Sequence, residues 1–299
     1  MNDMNKATLD YYVELIDNKL LELTRSKPEL QGQVVEAMEY SLQAGGKRLR
    51  PVLMLEFCRM CGERQPEKYA EIACSIELIH TFSLIHDDLP CMDDDDYRRG
   101  RLTTHKVFGE DFGILAGDAL LNYAYEVMTS AVCAASLENM KNCAGAATVI
   151  ARKAGIFGMV GGQSLDVLLT DKPVNEKEME FIFNLKTGAL IEAAFMAGAI
   201  LAGAGKECVS QLEKAGNLVG VAFQIKDDIL DVTSTQEVLG KPVFSDEKNN
   251  KTTYVTLYGM EKAAADVENM SEKAESIVKS IGDNEFLIEL INKLISREK

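Results

Sequence analysis

From Pro90 to Pro173 the chain contains no proline. Nothing in that stretch removes a helical hydrogen bond or clashes with a preceding turn, so long helices can run through it. Apolar residues follow the helical period there and almost everywhere else. "VVEAMEYSLQ" places Val34, Val35, Met38 and Leu42 on one stripe, and "EIACSIELIHTFSLI" is apolar nearly all round, as in a helix enclosed by others. Strand patterns are sparse, and no repeat, linker or shift in composition divides the chain. With 299 residues, 46% of them hydrophobic, one large core can be built. The sequence predicts a single all-α domain over residues 1–299, with about ten helices.

The most apolar window, Thr187 to Gly205, approaches the length of a membrane span. Glu192 interrupts it, and its Ala and Gly content suits a core helix with close neighbours, so no transmembrane segment is expected. The N-terminus is polar and reads as an amphipathic helix rather than a secretory signal. Seven cysteines, an odd number, fit a reducing cytoplasmic compartment, and Cys58–Cys61, the one CxxC, reads as core thiols. A net charge of −15 leaves no basic footprint for nucleic acid.

The stretch "HDDLPCMDDDDYRRG" holds six aspartates between Asp87 and Asp96, followed by Arg98 and Arg99. Pro90 should end the preceding helix and leave Asp87 and Asp88 in its last turn. That end of the helix dipole disfavours anions by roughly 0.3–1 kcal/mol each. Two carboxylates 4 Å apart repel by roughly 4 kcal/mol at an effective dielectric of 20. "FQIKDDILDVTST" repeats the anomaly with Asp227, Asp228 and Asp231, the first and last sharing a helix face. Two such clusters on apolar helices point to hard cations, Mg²⁺ or Mn²⁺. Mg²⁺ takes few carboxylates and completes its shell with water and phosphate oxygens, so a phosphorylated ligand is implied. The spacing does not match an EF-hand loop.

Cations to meet that ligand are present. "AGGKRLRP" offers Lys47, Arg48 and Arg50 behind two glycines, with Pro51 suited to the first position of a helix whose N-terminus favours anions. Lys186 lies in an apolar segment with Thr187 beside it, and Lys241 and Lys251 flank a polar loop after the second acidic cluster. His80 precedes Asp87 by two helical turns and points roughly the same way. His86 and His105 read as structural.

Taken in order, "GGKRLRP", "HDDLPCMDDDDYRRG", "GGQSLD", "LKTGALI" and "FQIKDDILD" resemble the trans-type polyprenyl diphosphate synthases, over nearly the whole chain from about Met38. The Asp87-Asp88-x4-Asp93 spacing is similar to that of bacterial farnesyl and plant-type geranylgeranyl diphosphate synthases. The resemblance implies the isoprenoid synthase fold, a helical bundle around a deep cavity, usually in a homodimer. It implies three Mg²⁺ ions held by Asp87, Asp93 and Asp227. Arg98, Lys186, Thr187, Gln224, Lys241 and Lys251 would then face the allylic diphosphate, and Lys47, Arg50, His80 and Arg99 isopentenyl diphosphate. Lys186 and Thr187 would be the catalytic pair, Thr187 turning an oxygen dipole to the developing carbocation. Gln163 and Asp166 would support them, and "SREK" at the C-terminus would fold over the site.

The expected reaction is ionisation of the allylic C–O bond, attack by the double bond of isopentenyl diphosphate, and proton loss to the departing diphosphate. Phe82 precedes Asp87 by five residues, roughly 7.5 Å along a helix axis. An aromatic there is typical of farnesyl makers in the resembling family, which makes farnesyl diphosphate the expected product and geranylgeranyl diphosphate the alternative. A non-catalytic partner subunit usually lacks one aspartate motif, and a terpene cyclase would not need "GGKRLRP".

Overall fold

The computed structural model describes residues 2–25, 29–233 and 252–295. Helices dominate: α1 (Asp3–Thr24), α2 (Gly32–Leu42), α3 (Leu49–Met60), α4 (Ala70–Asp87), α5 (Thr104–Phe108), α6 (Glu110–Ala134), α7 (Leu137–Ala154), α8 (Met159–Leu168), α9 (Glu176–Ile182), α10 (Ala189–Leu201), α11 (Lys206–Thr233), α12 (Tyr254–Tyr258), α13 (Met260–Ile281) and α14 (Glu285–Ile295). About ten were expected; fourteen occur among the described residues, partly because α5 and α12 are separate five-residue helices. A two-residue hairpin, β1 (Tyr97–Arg98) with β2 (Arg101–Leu102), closes the loop after the first acidic cluster.

The helix that is apolar all round in sequence, α4, is enclosed by α3, α6 and α1. It stops at Asp87, where Leu89 and Pro90 follow, as the proline demands. The Ala- and Gly-rich α10 is equally central, between α3, α7 and α11. The rings of Phe57 and Phe195 meet there at 4.0 Å between centroids. Two stretches, Leu137–Leu168 and Glu176–Leu201, are long and apolar enough to cross a membrane by length and composition. The second is mostly buried inside the protein (72%), as a core helix should be; the first is 33% buried. Cys58 is buried in the core; Cys61, half-buried, has its sulfur 3.9 Å from that of Cys208.

Candidate active site

A cavity of about 500 Å³ opens between α3, α4, α8, α11 and the segment joining α9 to α10. Each acidic cluster sends one residue into it. Asp87, in the last turn of α4, lines the wall and accepts a hydrogen bond from Gln163 Nε2 at 2.9 Å. Its neighbour Asp88 turns away, is buried, and accepts Arg98 Nε at 2.6 Å. On α11 the division repeats. Asp227 lines the cavity, while Asp228 is buried and accepts the backbone N–H of Tyr254 at 2.7 Å and Gln224 Nε2 at 3.3 Å. Adjacent helical residues point about 100° apart. One aspartate of each pair therefore faces the hollow and the other fixes the local chain. Asp93 is exposed in the turn below α4, its N–H donating to the Asp87 carbonyl at 2.9 Å.

Burial pushes the Asp87 carboxyl up to about 6; Lys186 opposes the rise and Asp93 adds to it. This is a carboxylate short of positive charge. Gln163 Oε1 beside it is buried and accepts no hydrogen bond from the described residues. Among those residues no three His, Cys, Asp or Glu side chains converge closely enough to hold an ion alone. An all-oxygen set split between two helices fits a divalent ion that draws its remaining ligands from water and a phosphorylated substrate.

Lys186 and Thr187 both line the cavity, and both lie on a π-helical segment, Phe183–Gly188, between α9 and α10. Such single wide turns inside α-helices recur at functional sites. Two glycines make room for this one: a Cβ on Gly162 would overlap the Lys186 backbone nitrogen, and one on Gly220 would overlap the Gly188 Cα. Lys186 Nζ donates to Asp166 Oδ2 at 2.5 Å, and Thr187 Oγ1 donates to Gln224 Oε1 at 2.7 Å. Burial works against the Lys186 ammonium, but Asp166 and Asp87 more than offset it and hold its pKa above the ordinary lysine value.

Arg50, in the first turn of α3, and His80 on α4 line the same cavity. Burial, reinforced by the positive charges of Arg50 and Arg99, holds the His80 pKa well below the usual imidazole value. The ring is therefore neutral at pH 7, with one N–H to donate. Arg99 reaches back to the Gly45 carbonyl, which brings the two basic segments together, and Lys47 is exposed in the same loop.

Arg48 departs from expectation. It sits in the left-handed region (φ 46°), is buried, and donates to Glu77 Oε1 and Asp17 Oδ1, each at 2.8 Å. The buried Glu77 claims its charge, so Arg48 does not serve an anion in the cavity. Pro51 falls at the third position of α3, not the first. Arg98 is engaged by Asp88 and Asp95 and is not among the lining residues. Lys241, Lys251 and the terminal "SREK" lie outside the described residues.

Phe82 lines the cavity, buried, its ring edge-on to His86 at 5.4 Å. His86, read as structural from sequence, also forms part of the wall, with Nε2 3.1 Å from the Ile114 carbonyl. The apolar contribution of α8 was not anticipated: Met159, Val160 and Val167 share the Gln163 face at three or four residues from it, which is the pattern that could have marked them.

A sequence model described as polyprenyl synthetase matches residues 31–291. The chain belongs to the polyprenyl synthetase family. Within this prenyltransferase family it is 43% identical over 260 residues to the farnesyl diphosphate synthase of Geobacillus stearothermophilus, covering 82% of this chain and 84% of that one. It is 44% identical over 241 residues to a chloroplastic geranylgeranyl pyrophosphate synthase of Capsicum annuum, covering 80% of this chain and 64% of the pepper protein. The crystal structure of a Helicobacter pylori geranyltransferase complexed with magnesium and isoprenyl diphosphate superposes with a TM-score of 0.83 at 29% identity, covering 99% and 98% of the two chains. The fold is the all-α isoprenoid synthase fold that polyprenyl synthetases share.

Proposed function

We propose that the chain is a Mg²⁺-dependent (2E,6E)-farnesyl diphosphate synthase, condensing dimethylallyl and then geranyl diphosphate with isopentenyl diphosphate. The observation that carries this reading is the convergence of Asp87 and Asp227, from two separate helices, on one cavity that also holds Arg50 and His80. Asp87, Asp93 and Asp227 would hold the metal ions, a set too small for a protein-only cage and suited to ions shared with a diphosphate. When bound, Mg²⁺ neutralises diphosphate charge and makes it a competent leaving group. The magnesium and isoprenyl diphosphate named with the H. pylori relative support this assignment.

Lys186 and Gln224 face the allylic diphosphate in this reading, with Arg98 holding Asp88 in place behind them. Arg50, neutral His80, Arg99 and Lys47 receive isopentenyl diphosphate at the other end. Thr187 directs its oxygen toward the positive charge that develops as the C–O bond breaks. Leu190, Phe223, Met159 and Val160 keep water from that cation. No side chain in the wall stands out as the final base, which leaves the departing diphosphate to take the proton.

Phe82 in the wall supports a product of farnesyl length. A geranylgeranyl product is the second reading, favoured by the comparable identity to the pepper protein. A homodimer in the cytoplasm is part of the proposal. The test is incubation with labelled isopentenyl diphosphate and dimethylallyl diphosphate, with and without Mg²⁺. A Mg²⁺-dependent C15 product is expected; a C20 product would replace the first reading with the second, and no extension would overturn both.

A further inference from the structure

Glu192, the charge that interrupts the most apolar window of the sequence, is not in the cavity wall, yet it is 4% exposed in the middle of the fold. It sits in the first turn of α10, directly after the π-helical segment. Lys153, from the last turn of α7, donates to its Oε2, and Asn217 Nδ2, from α11, donates to its Oε1 at 2.8 Å. The same Asn217 nitrogen lies 3.0 Å from Asn184 Oδ1, inside the π-helical segment. An ionised carboxylate can only accept, so Glu192 fixes which end of the Asn217 amide faces it. That orientation leaves Asn217 donating to Asn184 as well.

On α11, Asn217, Gly220 and Gln224 follow one another at three and four residues, which is one stripe of a helix. Each meets the π-helical segment at a different point. Asn217 holds Asn184, Gly220 lets the Gly188 backbone close in, and Gln224 accepts from Thr187. Lys186 and Thr187 lie between Asn184 and Gly188. We infer that Glu192, Asn217 and Asn184 are positioning residues: their hydrogen-bonded chain sets the register of the π-helical segment and so aims Lys186 and Thr187 into the cavity. The buried charge then has a reason to be in an otherwise apolar helix. It pins an amide that clasps the wide turn from behind.

This rests on the reading of Lys186 and Thr187 as substrate-facing groups, and the experiment separates the two. The full chain is compared with Asn184→Ala, which removes the acceptor, and Asn184→Asp, which keeps an acceptor oxygen in the same place. Steady-state condensation is measured for each, with thermal melting alongside. Asn184→Ala should lose about 10- to 100-fold in kcat, the scale of a misaimed reacting group. Its KM for isopentenyl diphosphate should not change, because Arg50 and His80 stand on α3 and α4. Asn184→Asp should recover most of the lost kcat. Asn184→Gln, which moves the amide by one methylene, gives the reading if the alanine variant melts too low to assay, and should also lose kcat. A wild-type kcat in Asn184→Ala or Asn184→Gln, or equal losses in the alanine and aspartate variants, overturns the inference while leaving the proposed reaction intact. Absence of product from the unaltered chain would instead overturn the reaction, and this inference with it.

Discussion

Replacing Asp87 by asparagine should abolish turnover and, in the metal-free protein, raise stability. Asparagine keeps an oxygen to accept the Gln163 hydrogen bond and removes only the charge. The carboxyl is lifted from the ordinary aspartate value of 3.8 to about 6, chiefly by burial. At about 1.4 kcal/mol for each tenfold change in proton affinity, that rise amounts to about 3 kcal/mol. Water at the cavity mouth screens the charge and reduces it to roughly 2 kcal/mol. Between those two values the folded chain retains a proton that the unfolded chain has released, so this group's contribution to stability falls as pH rises from about 4 to about 6. The advantage of Asp87→Asn should accordingly be near zero at pH 4 and full at pH 7. The assay is urea unfolding of both proteins across that range with a chelator present. Adding Mg²⁺ with inorganic pyrophosphate should then reverse the order at pH 7, since a ligand at 100 times its Kd stabilises by about 2.7 kcal/mol. A variant less stable than the parent at pH 7, or an advantage that does not change with pH, would refute the reasoning.

Phe82→Ala should shift the product toward longer chains, read by chromatography; an unchanged product profile would remove Phe82 from control of length. Arg48→Ala should cost about 3–5 kcal/mol of stability by stranding buried Glu77, measured by denaturant unfolding. Its KM for isopentenyl diphosphate should remain that of the parent, and a raised KM with unchanged stability would place Arg48 back in the anion site. Gly220→Ala should lose about 1–3 kcal/mol through overpacking against Gly188, together with kcat; parental values of both would show that the close approach is not needed.

The sequence made the helical class and the ends of α4 and α11 readable because those depend on local rules: period, proline, and charge placed against a dipole. It also marked Asp87, Asp227, Arg50 and His80 as residues that could meet, and they line one cavity. What it did not reveal depends on partners distant in the chain. The resemblance named Asp87 and Asp227, but the residue pattern of "DD" alone does not tell which aspartate turns inward; Arg98, in the same stretch, decides it for Asp88, and the Tyr254 N–H for Asp228. Arg48 looked like Arg50 until Glu77 and Asp17 arrived from α4 and α1. The wide turn under Lys186 needs Gly162 and Gly220, 24 residues before it and 34 after.

That wide turn also limits how the chain can change. Deleting one residue from Phe183–Gly188 would let the i→i+5 turn close as an ordinary i→i+4 turn, with α10 kept close to its present rotation relative to what precedes it. The interior around α10, buried on almost every side, would stay matched, and the change would fall on which residues of the segment face the cavity. A single-codon loss there should therefore spare folding while taking Lys186 and Thr187 out of their present aim.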